Sequence, residues 1–313
     1  MGQGLGVLDC LAGVVGNGQT VEVGSRRFSI RKRLATGGFS NVDLVCDVQT
    51  KDMYAMKRML CTEKAEVQRA KAEVEYYRLF DHPNIIQVVE SGVLSLRRNQ
   101  GAPSQEVVCV FPLYERGTLL DYVAHVHEQG GYLPEHELLT LFKGICLALD
   151  QMHTRVEPLC HRDIKPGNVL LARDGTPVLM DFGSVEKGVI DVASRKEAIA
   201  QQDIASERTT LPFRPPELVD VPSRCTLTTA IDIWSLGCTL YSMAYLDTPF
   251  EHLNAQGASL PLAIAQGKVS FPTNDPYTQR VRDLILSMIQ VDPSQRPTIA
   301  QVLERTTEAL QAL

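Results

Sequence analysis

Three short stretches place charged and oxygen-bearing side chains at spacings that could do chemistry. They are Tyr54-Ala-Met-Lys57, Cys160-His-Arg-Asp-Ile-Lys-Pro-Gly-Asn168 and Asp181-Phe-Gly183. Asn168 follows Asp163 by five residues and Asp181 follows it by eighteen. Carboxylate and amide oxygens are hard donors suited to a divalent cation, and a carboxylate can accept a proton from a hydroxyl. Singly, each of these residues is an ordinary cap or a solvated charge. As an ordered set they ask for a scaffold that brings them together.

The hydrophobic pattern supplies one. Residues 28–30, 42–45 and 53–56 alternate or run apolar in the manner of strands, and 106–111 forms another after a polar loop at 97–105. Residues 63–80 form a helix, with Ala70, Val74 and Tyr77 on one face, and His82-Pro83-Asn84 stops it. Beyond Gly117 the pattern turns helical. Leu138, Leu139, Phe142, Ile145 and Leu149 mark one amphipathic helix, and Leu284, Ile285, Met288 and Ile289 another. Residues 231–245 are apolar nearly all round, which predicts a buried helix.

In order and spacing the three stretches resemble the protein kinase signature set, and the resemblance spans residues 28–313. It implies an α+β, two-lobed protein kinase fold, with a small antiparallel β-rich N-lobe carrying one helix (28–111), a hinge (112–117) and a large helical C-lobe (118–313). Residues 1–27 would be a leader. Catalysis in that family is mostly positioning and charge stabilisation around ATP and Mg2+. By resemblance, Lys57 holds the α- and β-phosphates and Glu73 pairs with it. Glu75 is the competing acid, but Glu73 lies nine residues before His82, as the family spacing requires. Asp163 is implied as the base, Asn168 and Asp181 as the magnesium ligands, and Lys165 as the group that neutralises the γ-phosphate in serine/threonine kinases. A pseudokinase scaffold is the alternative, and the complete residue set argues against it. A dinucleotide oxidoreductase would need its glycine-rich loop to open a helix, whereas strand residues follow here.

The nucleotide-binding residues implied are Leu34, Ala35, Gly37, Gly38, Val42, Ala55, Lys57, Glu73, Phe111, Pro112, Tyr114, Asn168, Leu170 and Asp181. The loop Leu34-Ala-Thr-Gly-Gly-Phe-Ser-Asn-Val42 has Ala35 and Ser40 where the family usually has glycine. Gly37 keeps the position where a missing Cβ lets backbone approach phosphate. Phe111 aligns as gatekeeper. Adenine would donate to the Pro112 carbonyl and accept from the Tyr114 amide, so proline's missing N–H costs nothing.

Further marks are Arg214-Pro-Pro-Glu217, Asp232-Ile-Trp-Ser-Leu-Gly237 and Arg296. The resemblance implies a buried Glu217–Arg296 ion pair and an Asp232 that braces the backbone around Asp163. Between Gly183 and Glu217, Ser194-Arg-Lys-Glu197 reads as a capping box ahead of a helix over 198–208, an insertion that resembles the Numb-associated kinase group. Thr210 matches the threonine that contacts the catalytic loop. Thr209 or Thr210 is a candidate phosphate acceptor, with Arg162 as its partner.

Gly37-Gly-Phe-Ser40, Arg116-Gly-Thr-Leu119 and Pro177-Val-Leu-Met-Asp181, with an N-terminal Met-Gly and a nearby cysteine, resemble the myristoylated and palmitoylated serine/threonine kinases. Gly2 is then a myristoylation site and Cys10 a second acylation site, since one acyl chain anchors only marginally. That implies a peripheral protein on cytosolic membrane faces, Golgi or vesicles, with protein substrates and a monomeric state. Arg26, Arg27, Arg31, Lys32 and Arg33 form a basic run that would assist such an anchor. Net charge is -6, so no basic field points to nucleic acid. The eight cysteines contain no CxxC pair, which argues against a zinc site or a disulfide framework. His125 and His127 stand two apart on different helix faces, as surface residues rather than a metal pair.

Overall fold

The computed structural model describes residues 19–37, 40–96, 104–251 and 259–313. The chain divides into two compact units between Arg116 and Gly117.

The first unit is built on a six-stranded antiparallel sheet in the order β1-β2-β3-β4-β6-β5. The strands are β1 (Thr20–Val23), β2 (Arg26–Thr36), β3 (Ser40–Asp47), β4 (Met53–Cys61), β5 (Glu90–Leu96) and β6 (Ser104–Pro112). Helix α1 (Lys64–Arg78) packs on β4 and β6 through Val67, Ala70, Val74 and Tyr77. Its N-terminus carries a capping box, in which Glu63 and Glu66 satisfy each other's backbone amides. Strand β1 corrects the reading of residues 1–27 as a leader. The alternation Thr-Val-Glu-Val turns Val21 and Val23 inward against Phe28, Val45, Met56, Val108 and Val110.

The second unit is mainly helical. It contains α2 (Leu119–Glu128), α3 (Glu135–His153), α4 (Arg195–Arg208), α5 (Pro216–Val219), α6 (Ala230–Tyr245), α7 (Leu260–Gln266), α8 (Gln279–Met288) and α9 (Ile299–Gln311). Every residue of α6 after Ala230 is buried, as its continuous apolar run predicts. Short strand pairs frame the loops: β7 (Leu159–Cys160) with β10 (Glu186–Lys187), β8 (Val169–Leu171) with β9 (Pro177–Leu179), and β11 (Val189–Val192) with β12 (Cys225–Thr228). A Cβ at Gly237 would meet Met288 Cβ at 2.9 Å, so only glycine lets α6 and α8 approach this closely.

Helix α4 begins three residues before the stretch read as helical. Ser194 Oγ accepts from the Glu197 amide, but the Glu197 carboxylate takes the Ala193 amide instead of returning to Ser194, so the capping box is half formed. The helix buries only Ala198 and Ala205, seven residues apart on one face. Their small side chains seat α4 against Val192, Leu218, Val221, Leu227 and Ile231.

Candidate active site

In the first unit, β4 carries Lys57 and α1 carries Glu73. Lys57 Nζ donates to Glu73 Oε1 at 2.7 Å. The same oxygen accepts from the Tyr77 hydroxyl at 3.0 Å, and Glu73 is buried. Glu75, the competing acid, is exposed and pairs with Arg78 at 2.8 Å. Tyr77 stands one helical turn beyond Glu73, so the sequence spacing alone could have flagged it as a second donor. Its ring meets Phe111 edge-to-face at 4.9 Å.

The glycine-rich stretch contributes the end of β2 and the start of β3, with Ala35 opposite Val42 and the Gly37 amide donating to the Ser40 carbonyl at 2.8 Å. Ala35 thus pairs just beyond a register shift after Arg33, and Ser40 pairs with Met59 of β4. Among the described residues, a Cβ at Gly37 would meet nothing closer than Ser40 O at 3.5 Å. Packing among the described residues therefore does not demand glycine there, which is compatible with a close-lying ligand. Leu34 and Ala35 are exposed, and Val42 and Ala55 are half-buried. Phe111 is buried near the end of β6, and Pro112 and Tyr114, both half-buried, follow. Gly38, Gly2 and Cys10 lie outside the described residues.

In the second unit, the segment after β7 carries Asp163, only 6% exposed. Asp163 Oδ2 accepts from Lys165 Nζ at 2.7 Å and Asn168 Nδ2 at 2.8 Å, while Oδ1 accepts from the Thr210 amide at 2.9 Å. Lys165 also donates to the Thr210 hydroxyl at 2.5 Å. Asn168 Nδ2 makes a further bond to the Asp163 carbonyl at 2.8 Å, which commits its amide N–H groups inward and leaves Oδ1 as the group for a cation. Asp181 stands after β9 with φ 64°, a left-handed conformation that an L-residue adopts at some cost. Leu170, on β8, is half-buried. An amide oxygen and a carboxylate are the hard donors that magnesium prefers, so this set fits the ion.

Buried hydrogen bonds hold this loop. Asp232 Oδ2 accepts from the His161 amide and Oδ1 from the Arg162 amide, both at 2.7 Å. His153 Nε2 lies 2.9 Å from Asp232 Oδ2. Burial pushes the Asp232 carboxyl up, but the His153 hydrogen bond and the surrounding donors outweigh it and hold the group below the usual carboxylate range. His153, Cys160 and Asp232 bring ligand-type atoms within 4.8 Å of one another. Those Asp232 oxygens are already taken, and burial pushes the Cys160 thiol well up, so the cluster is a hydrogen-bonded brace. Thr239 Oγ1 donates to the Ile164 carbonyl at 3.2 Å. Arg296 and Glu217 form a two-pronged ion pair at 2.6 and 2.9 Å.

Two contacts escaped the sequence. Arg162 meets Gln201, not a threonine, with Nη1 donating to Oε1 at 3.1 Å. The Thr209 hydroxyl instead accepts from Arg214 Nε at 2.7 Å, whereas the Lys165–Thr210 bond is the threonine contact to the catalytic loop that the resemblance implies. With both threonines unphosphorylated, Arg162 contacts Gln201 rather than either of them. The Arg162–Gln201 contact joins residues 39 apart, and their relation depends on how α4 folds back.

An acid gripped by a lysine and an amide, followed by an aspartate in a left-handed turn, and a separate lysine–glutamate pair define a phosphotransferase of the protein kinase type. The protein kinase domain family matches residues 28–306, and the chain belongs to that family. It is 38% identical to serine/threonine-protein kinase 16 of Rattus norvegicus over 292 residues, 93% of each chain. It is 31% identical to serine/threonine-protein kinase ppk13 of Schizosaccharomyces pombe, covering 95% of this chain and 96% of the relative. With serine/threonine-protein kinase ENV7 of Saccharomyces cerevisiae the identity is 30%, over 91% and 92%.

Proposed function

We propose that the chain is an active, ATP-dependent kinase that phosphorylates serine or threonine hydroxyls of proteins. The observation that carries this reading is the Asp163 carboxylate, fixed by Lys165, Asn168 and the Thr210 amide. Fixed in this way, the carboxylate orients an incoming hydroxyl and accepts its proton. Lys165 sits two residues from Asp163, and its ammonium supports serine/threonine rather than tyrosine specificity. Lys57, oriented by Glu73, is assigned to the nucleotide phosphates, and Asn168 Oδ1 and Asp181 to magnesium. The ion supplies charge neutralisation on the phosphates when bound. The intact set disfavours a pseudokinase scaffold. Helix α4, between Asp181 and Glu217, supports affinity to the Numb-associated group. The test is phosphate transfer to a generic basic protein by the wild type and by Asp163→Asn. Transfer should vanish in the variant, and equal signals from both proteins overturn the reading.

The N-terminus supports a membrane-tethered form of this kinase, with Gly2 myristoylated, Cys10 acylated and the protein on cytosolic faces of Golgi or vesicle membranes. The basic run contributes little to such a tether. Arg26, Arg27 and Arg33 are bound to Asp47, Glu22 and Asp43, which leaves Arg31 and Lys32. Acylation therefore has to supply most of the anchoring. Mass spectrometry of the N-terminal peptide from a eukaryotic host should find a myristoyl group on Gly2, and a free or acetylated terminus rejects the tether.

A further inference from the structure

Arg162 immediately precedes the catalytic aspartate and is held in an unusual state. Its φ of 67° lies in the left-handed region, and the residue is only 2% exposed. Its backbone amide is fixed by Asp232, but its guanidinium reaches a single side-chain partner among the described residues, Gln201 Oε1 at 3.1 Å. Nε and Nη2 are buried with no partner there. A buried cation with one hydrogen bond depends heavily on that bond.

Gln201 sits in the middle of α4, and α4 is itself anchored. Ala198 and Ala205 press it into the core, Ser194 caps its start, and the neighbouring Gln202 accepts from the Val221 amide at 3.4 Å. The C-terminal end of α4 runs into Thr209, whose amide bonds back to the Ala205 carbonyl at 3.0 Å and whose own carbonyl accepts from Arg214 Nη2 at 2.8 Å. The next residue, Thr210, donates its amide to Asp163. Helix α4 and the residue just beyond its C-cap thus grip the catalytic segment at two adjacent residues: Arg162 through Gln201 of the helix, and Asp163 through Thr210.

From this circuit we infer that Gln201 is a positioning residue, which holds Asp163 in its working orientation by closing the Arg162 guanidinium onto α4. The inference rests on the kinase reading of Asp163. Gln201 touches no reacting atom. Its side-chain oxygen supplies the acceptor that keeps a strained, buried arginine, and the aspartate bonded to it, from relaxing. The acceptor matters more than the charge, since an amide suffices.

The full-length chain carrying Gln201→Leu, which keeps volume and removes the acceptor, is compared with Gln201→Glu, which keeps an acceptor oxygen. For Gln201→Leu, kcat should fall about tenfold while the KM for ATP stays within about twofold, the loss appropriate to one hydrogen bond to a charged group. Hydrogen exchange at the amides of residues 161–163 should quicken about fivefold, with α6 unchanged. Gln201→Glu should restore both. A Gln201→Leu protein that matches the wild type in kcat and exchange overturns the inference, as does a folded Gln201→Glu protein that behaves like Gln201→Leu. If the wild type transfers no more phosphate than Asp163→Asn, the kinase reading fails, and the exchange comparison still decides whether Gln201 braces the loop.

Discussion

The backbone amide of Thr210 donates to Oδ1 of Asp163 at 2.9 Å, across 47 residues of chain. The hydroxyl of the same threonine accepts from Lys165, which also holds Asp163 Oδ2. One residue therefore touches the acid directly through its backbone and indirectly through its side chain.

Thr210→Ala removes only the second of these contacts. It should lower kcat about tenfold, as expected for one charge-assisted hydrogen bond, and leave the thermal midpoint nearly unchanged. Thr210→Ser should restore the rate. Steady-state kinetics of the two variants check this, and an unimpaired alanine variant would mean that the Asp163 carboxylate alone suffices to place Lys165.

Tyr77 and Lys57 share one oxygen of Glu73, and they should separate on mutation. Tyr77→Phe deletes a hydroxyl donor and should cost about 1 kcal/mol of stability with activity kept within severalfold. Lys57→Met should lower kcat/KM by about a hundredfold or more if Lys57 holds the nucleotide phosphates as proposed. Chemical denaturation and phosphate-transfer assays on both variants distinguish the structural role from the functional one.

The Arg296–Glu217 pair should be costly to break. The Arg296 side chain is fully buried, its guanidinium lies 5.1 Å from the Trp234 ring, and it also donates to the carbonyls of Gln290 and Ala230. Arg296→Ala leaves Glu217 with its charge uncompensated and should destabilise the protein by about 3–5 kcal/mol, read by urea unfolding.

Asp232 links stability to acid. Its folded-state pKa lies below the usual carboxylate value, so it contributes stability that is present above pH about 4 and lost as pH falls through the lower, folded value. Asp232→Asn should unfold more easily at pH 7, by about 3 kcal/mol, and the gap from wild type should narrow steadily below pH about 4. A gap that stays constant down to pH 2 would show that ionisation of Asp232 is not what stabilises the loop.

Much of the molecule is legible in its sequence. Helices α1, α3, α6 and α8 follow from apolar spacing, because burying one face of a helix imposes a local period. The strand at Thr20–Val23 was readable from its alternation as well, but four residues beside a glycine-rich terminus make a weak signal. The nine-position separation of Glu73 from His82 pointed to the acid that Lys57 in fact meets.

What the sequence determined by itself is the family and the order of its charged motifs, because chemistry of this type needs fixed residue types at fixed short spacings. Tertiary structure alone decided which side chain holds Arg162. Gln201 meets it across 39 residues. A hydrogen bond is satisfied by whichever donor or acceptor the folded chain brings within reach, and for residues so far apart that choice is made only when α4 seats its two alanines in the core.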